Sequence, residues 1–557
     1  MLRSIRALLV FWCLPWAAGA AGCINQRVPS RPVEPAQPSA EPTAEMTGEQ
    51  WQSPRVPPAR DPRVPWYQQL SVDEAWRELV APHNHNAALV TFKRPELARG
   101  YFGGIVLITE DELARARQRL LQIPEVRPWD GSDAGREMPR MPDRRAYPAI
   151  VVQIGSLEAL RQIRELTMVE AVEPLYLPQG IGCALDAYTP IAADGDFFDN
   201  RIPWSFSHLG IVEAWNLYKQ ANNAISNPGA GIRIGVIDTG VFEDEHQLIT
   251  AFNWNGTRPA ARHHTVVAAT WDDCGHGTRI AGLAAAPLDV QFASPRKIVG
   301  VAWGADLTTV KYNGGVVLGA GSRVELIEAI NLAVADGARV VNLALGTPFW
   351  STFVYDNINM AYETTQTIFV GAAGTFVSAV QFPAKMYPQV LAVSIVKSKD
   401  TADPQAGYEL YGGATPESAY GSEVAFAAVN GDGGVPTAGG GQGLIQVGGS
   451  SSGTAHLSGI IALVWGKQPT ATRAQVIARL RSSGSLKRIS GEQDLIPGFS
   501  AKVGYGIPDA YVAAGGFRTA SIGGPSMVMP GASYTLTVST NGWLPTTVLW
   551  DTGQTTP

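Results

Sequence analysis

The chain has 557 residues, 45% hydrophobic and 17% charged, with a formal net charge of −6 and both signs interspersed. That composition is globular, and the length suffices for one large domain with one or two small ones. No basic block is present, which argues against a nucleic-acid partner.

The first 22 residues read as a signal peptide. Arg3 and Arg6 precede an apolar stretch from Ala7 to Trp16, and small residues follow. A short buried helix is the competing reading; the stretch is too short for a stable membrane span. Ala20-Ala21-Gly22-Cys23 resembles a bacterial lipoprotein cleavage box, although the usual Leu at its first position is missing. That resemblance implies lipidation of Cys23 and anchoring on a membrane surface, where one acyl chain holds weakly and several hold well. Cleavage after Ala18-Gly19-Ala20 and free secretion is the rival. Residues 23–66 form a Pro-rich tether with few aliphatics, expected to be extended because it cannot bury enough apolar surface to fold.

Residues 67–178 change character. "AALVTFK", "YFGGIVLI", "AIVVQIG" and "VEAVEPLY" read as strands. Thr109 opens a capping box for the helix "EDELARARQRLLQI", and Ser156 caps "LEALRQIRELT". Strand–helix–strand units of this kind predict a small α+β domain. From 179 to 516, near-continuous apolar runs ("GIRIGVID", "DLTTVKY", "ARVVNLAL", "TIFVGAAG", "QVLAVSIV") alternate with helical patterns. That predicts a parallel sheet covered on both faces, with any site at the carboxyl ends of its strands. Residues 517–557 are a short β-rich extension, too short for a sandwich.

Three segments carry chemistry. An apolar strand ends at Asp238 in "VIDTG"; His276 stands between glycines in "DDCGHGT"; and "VGGSSSGTAHLSG" places three serines before an apolar helix. Taken singly, Asp238 could be a cap and His276 a loop residue. Together they supply an acid, a base and a nucleophile. A serine hydroxyl needs an imidazole to remove its proton, and the imidazole needs a carboxylate to fix its tautomer. A serine at a helix start also lies beside backbone N–H groups that favour developing negative charge.

With these segments, "GVAWGADLTTVK", "VVNLALG", "FPAKMYPQVLAV", "AYGSEVAFAA" and "GYGIPDA" follow in an order that resembles the subtilisin family of serine proteases, the subtilases. The family's Asp, His, Ser chain order is a known example rather than a deduction from this chain. The resemblance implies an α/β fold, a subtilisin-like three-layer sandwich with a mostly parallel sheet, preceded by a small α+β prodomain over 67–178. It implies Asp238 as orienting acid, His276 as general base and Ser451 as nucleophile, since the family's nucleophile lies five positions before the residue matching His456. It further implies that an extended peptide is held along Gly319-Ala320-Gly321 and Ala344-Leu345-Gly346, and that the prodomain is an intramolecular partner.

The chain departs from the family in several places. Thr375 stands where the oxyanion Asn is expected, leaving the Thr375 hydroxyl and the Ser451 backbone N–H as donors. Arg279 replaces a His, Ala455 a Pro and Ala344 a Ser, and the calcium-ligating Asp expected in "FEDEHQL" is missing. No metal or other cofactor is expected at the matched motifs. Cys183 and Cys274 could pair in an oxidising compartment or remain free thiols. The expected function is a secreted or surface-anchored serine endopeptidase acting on proteins or peptides. The alternative is a weakly active or inactive subtilase that binds peptides or serves as a scaffold. A lipase or esterase is poorly supported, because the Asp, His, Ser chain order differs from the Ser, Asp or Glu, His order of that class.

Overall fold

A computed structural model describes residues 66–81, 86–93, 110–129, 148–175, 202–219, 227–242, 262–267, 271–272, 274–287, 299–316, 322–375, 377–403, 407–411, 418–430, 435–438, 444–485, 489–490, 499–500 and 502–516, with short segments at 520–523, 537–540, 548–549 and 555–556. The signal, the tether, Cys23, the "YFGGIVLI" strand, the Thr109 cap and Cys183 lie outside the described residues.

The first layer of structure comprises α1 (Val72–Leu79), β1 (Ala87–Phe92), α2 (Glu110–Leu121), β2 (Val126–Pro128), β3 (Ala149–Ile154), α3 (Leu157–Glu165) and β4 (Val169–Pro174). The strands form one antiparallel sheet in the order β2-β3-β1-β4. Local chemistry sets the helix starts. Ser71 and Glu74 form a reciprocal capping box on α1, and the Ser156 hydroxyl accepts from the Ala159 N–H at 3.2 Å on α3. β1 is buried along its whole length, because both faces of the sheet are covered. Ala88, Val90 and Val152 pack with Leu160 and Ile163 of α3. Leu89 and Ala149 point the other way, into the core of the larger sheet domain.

That domain contains α4 (Trp204–His208), α5 (Ile211–Asn216), β5 (Arg233–Asp238), β6 (Arg262–Thr265), α6 (His276–Ala285), β7 (Asp306–Lys311), α7 (Ser322–Ala335), β8 (Val340–Leu343), α8 (Thr352–Thr364), β9 (Ile368–Ala372), β10 (Val390–Ser398), β11 (Tyr408–Leu410) and β12 (Val424–Asn430). The hairpin β13 (Val435–Ala438) and β14 (Leu444–Val447) leads to α9 (Gly449–Lys467), then α10 (Arg473–Ser483), β15 (Gly484–Ser485), β16 (Ile489–Ser490), β17 (Ile507–Pro508) and α11 (Ala510–Ala513). The central sheet runs β16-β11-β10-β9-β8-β5-β7-β6, with β12 also on β10. Pairing is parallel from β6 through β10 to β12, and antiparallel only between β10 and β11.

Successive residues of the parallel strands face opposite layers, as the two-residue period requires. Val236, Val340 and Val370 join the core formed with α6 and α9; Ile237, Val341 and Phe369 join the core formed with α7 and α8. The result is the expected three-layer α/β sandwich. Beyond it, β18 (Ala520–Gly523) pairs antiparallel with β19 (Thr537–Thr540), and β20 (Val548–Leu549) with β21 (Thr555–Thr556). Among the described residues no helix is long and apolar enough to cross a membrane.

Candidate active site

Asp238 is the last residue of β5, and His276 is the first of α6. Both side chains are buried, and His276 Nδ1 lies 2.8 Å from Asp238 Oδ1. The same carboxylate oxygen accepts the Thr239 backbone N–H at 2.8 Å. A carboxylate at Nδ1 fixes the proton there, so Nε2 is the acceptor nitrogen of the neutral ring. The flanking glycines have physical reasons. Gly275 starts the helix at φ +81, and a Cβ on Gly277 would stand 2.3 Å from the Gly240 carbonyl oxygen and 3.1 Å from Asp238 Cβ. The "GHG" triplet therefore lets the imidazole helix lie directly against the carboxylate loop. Beneath it, burial and the Asp238 charge push the Tyr312 phenol well above its ordinary value, so it stays neutral and donates to the Gly315 carbonyl.

Helix α9 packs against α6 and along β8, β9, β10 and β12. From Gly449 to Trp465 every residue is buried except Ser451. The three serines thereby separate. The Ser450 hydroxyl accepts the Gly374 N–H at 3.0 Å, and the Ser452 hydroxyl donates to the Gly449 carbonyl at 2.8 Å. Ser451 is partly exposed, and among the described residues its hydroxyl makes only a long contact of 3.5 Å to the Ala344 carbonyl. No hydrogen bond joins Ser451 to His276 among the described residues. His456, five residues on, is wholly buried, with Nε2 2.9 Å from the Ser205 hydroxyl; burial pushes its pKa down to about 4. It is a neutral core histidine and no rival base.

Thr375, just after β9, meets the start of α9. Its hydroxyl accepts the Ser450 N–H at 3.2 Å and lies 3.2 Å from the Ser450 hydroxyl. The approach depends on Gly449 (φ +68), where an added Cβ would sit 2.4 Å from Thr375 Oγ1. Ala344, Leu345 and Gly346 follow β8, and the Thr347 backbone pairs with Phe382 in both directions at 2.9 Å. Asp238, Ala344, Thr375 and Ser451 thus follow strand ends or begin the helix beside them, as doubly covered sheets require. Gly319, Ala320 and Gly321, like residues 243–248 of "FEDEHQL", lie outside the described residues.

Other groups support the site. Arg279 is buried and its Nε–H donates to the Gly275 carbonyl at 3.0 Å. Cys274 is disulfide-bonded, so it is not a free thiol. The motif reading passed over Asp272, a buried carboxylate four residues before His276 that accepts from the Cys274, Gly275 and Thr278 amides. The signal for it was present: an acidic residue just ahead of a helix whose N-cap is glycine and therefore has no side chain of its own.

Comparison with known proteins agrees with this architecture. The subtilase family model matches residues 229–506. A thermostable alkaline protease of Halalkalibacterium halodurans is 28% identical over 289 residues, covering 51% of this chain and 68% of that protein. Subtilisin Savinase of Lederbergia lenta is 25% identical over 284 residues, covering 51% of this chain and 91% of that protein. Among solved structures, fervidolysin from Fervidobacterium pennivorans, a keratinolytic enzyme related to subtilisin, overlays with a TM-score of 0.51 at 16% identity, covering 83% of this chain and 68% of that one; this likeness concerns the fold alone. The chain belongs to the subtilase family of serine peptidases.

Proposed function

We propose that the chain is a secreted or surface-anchored serine endopeptidase using Asp238, His276 and Ser451. The observation that carries this reading is the 2.8 Å contact between His276 and a buried Asp238, on a helix packed against the one that exposes Ser451 alone of its three consecutive serines. In the reaction, Ser451 Oγ turns from Ala344 to His276 Nε2, which takes its proton as Oγ attacks the scissile carbonyl. His276 then gives that proton to the leaving amine, while Asp238 stabilises the transient imidazolium. Long catalytic contacts before substrate binds are usual and tighten in the complex. The oxyanion is held by the Ser451 N–H and the Thr375 hydroxyl, and the substrate backbone runs along Ala344-Leu345-Gly346; the family resemblance adds Gly319-Ala320-Gly321 to the residues that hold it.

Residues 67–178 act as an inhibitory, folding-assisting prodomain. Support comes from Glu173 of β4, buried against the sheet domain. Its carboxylate accepts from the Thr352 N–H at 3.0 Å and the Ser351 hydroxyl at 3.1 Å, and pairs with Arg323 at 3.5 Å. It thereby supplies negative charge at the N-terminus of α8. Lipidation at Cys23 would anchor the uncleaved precursor, and after cleavage the catalytic domain only while residues 67–178 stay docked on it. Incubation of the purified chain with casein, followed by mass spectrometry of fragments, tests the reading. Internal cleavage by the wild type and none by Ser451→Ala supports it; equal digestion by both, or none by either, rejects it. A second reading, peptide binding without turnover, is favoured by one observation: the Thr375 hydroxyl lies 3.2 Å from the Ser450 hydroxyl, and when it donates there its proton is not available to an oxyanion.

A further inference from the structure

The loops that carry Asp238 and His276 are joined by more than their own contact. Thr239 Oγ1 accepts the Gly277 N–H at 2.9 Å, the Asp272 N–H donates to the Val241 carbonyl at 3.0 Å, and Thr278 Oγ1 accepts the Phe242 N–H at 2.9 Å. Asp272 organises one side of this seam. Its Oδ1 accepts the Cys274 and Gly275 amides at 3.0 and 2.8 Å. Its Oδ2 accepts the Thr278 amide at 3.0 Å and the Thr278 hydroxyl at 2.7 Å. The carboxylate is 4% exposed, and all four donors come from the turn that contains His276. Two of these amides begin a helix whose N-cap, Gly275, offers no side-chain acceptor. The Thr278 hydroxyl, fixed as donor to Asp272, has its lone pair turned to the Phe242 N–H, so the carboxylate's hold on one loop reaches the other.

We propose that Asp272, acting through Thr278, is a positioning residue for the reaction: it sets the height and tilt of the His276 imidazole on Asp238. This rests on the catalytic reading of the triad. An amide in place of the carboxylate cannot accept four donors. In either orientation its NH2 group faces N–H groups that the carboxylate now receives, so the turn must open on the helix side or on the loop side. Misplacement by about 1 Å at a reacting group lowers rates by about 10²-fold.

The test compares wild type, Asp272→Asn, Thr278→Val and Thr278→Ser in the full-length protein, with kcat expressed per serine titratable by fluorophosphonate. The proposal expects kcat to fall by about 10²-fold in Asp272→Asn, with KM little changed. It expects a similar loss in Thr278→Val, recovered in Thr278→Ser, which keeps the hydroxyl. A lower melting temperature with unchanged kcat per titrated site overturns it, because a helix cap that serves stability alone does exactly that and no more. Should Asp272→Asn fail to fold, the Thr278 pair decides. The far-downfield proton resonance of His276 Nδ1–H gives a readout independent of turnover. Its loss or broadening in Thr278→Val supports the proposal, and an unchanged resonance overturns it, even if the wild type proves inactive and the catalytic reading falls separately.

Discussion

Replacing Thr375 by valine isolates the most unusual group of the site. The change keeps the branched shape that fills the notch over Gly449 and removes only the hydroxyl. Two consequences follow from the hydrogen-bond count. Ser450 Oγ accepts the Gly374 N–H, and Thr375 Oγ1 accepts the Ser450 N–H. When the Ser450 hydroxyl also donates to Thr375 across their 3.2 Å separation, both lone pairs of Thr375 are filled and its own proton is left for the oxyanion. On the proposed assignment, valine then removes one of two oxyanion donors, worth about 10²–10³ in kcat. It also leaves the Ser450 N–H without its acceptor, at about 1–3 kcal/mol of stability. Steady-state kinetics on a peptide, normalised to titrated sites, separate the two effects. The expected result is a fall of about 10²-fold in kcat for Thr375→Val, little change in KM, and near-normal kcat for Thr375→Ser. Full kcat in Thr375→Val refutes the assignment. An inactive wild type revived by Thr375→Asn favours the peptide-binding reading.

Other predictions concern stability and processing. His456 titrates near 6.5 when unfolded but at about 4 in the fold, so the unfolded chain binds the extra proton between these values. Stability from this group is complete above about 6.5 and declines as pH falls toward 4, by on the order of 3 kcal/mol; urea titrations of Ser451→Ala with and without His456→Asn should show the variant's acid-side slope reduced. Burial raises the Glu173 carboxyl, with Arg323 and the Thr352 and Ser351 hydrogen bonds opposing it. Docking of β4 therefore weakens as pH rises through that raised value. Glu173→Ala, which leaves buried Arg323 unpaired, should loosen docking by about 3 kcal/mol, read as faster clipping of 67–178 by an added protease in the Ser451→Ala background. Finally, autoprocessing should place the mature N-terminus between Leu177 and Ala184 in the wild type and not in Ser451→Ala; identical termini in both would exclude it.

Much of the fold is legible because buried parallel strands are written as short apolar runs, and β5, β7, β8, β9 and β10 fall on such runs. The carboxyl end of β5 delivers Asp238 where the topology demands it. The choice among three serines was not legible from periodicity. Helix α9 is buried on all sides, so no amphipathic stripe marks the face that opens at Ser451, and only the resemblance fixed the count. The link between Thr375 and Ser450 spans 75 residues, and that between Glu173 and Thr352 spans 179. Neither leaves a local pattern, because each depends on how separate layers meet. Asp272 is local, yet a single acidic residue before a helix is too common to single out without the four donors around it.

The central claim is that Ser451 is a nucleophile activated by His276, and a fluorophosphonate adduct located by peptide mass spectrometry tests it most directly. The account predicts modification of Ser451 in the wild type, none at that position in Ser451→Ala, and strongly slowed labelling in His276→Ala. An adduct on Ser450 or Ser452, or a folded chain that takes up no label, would contradict it.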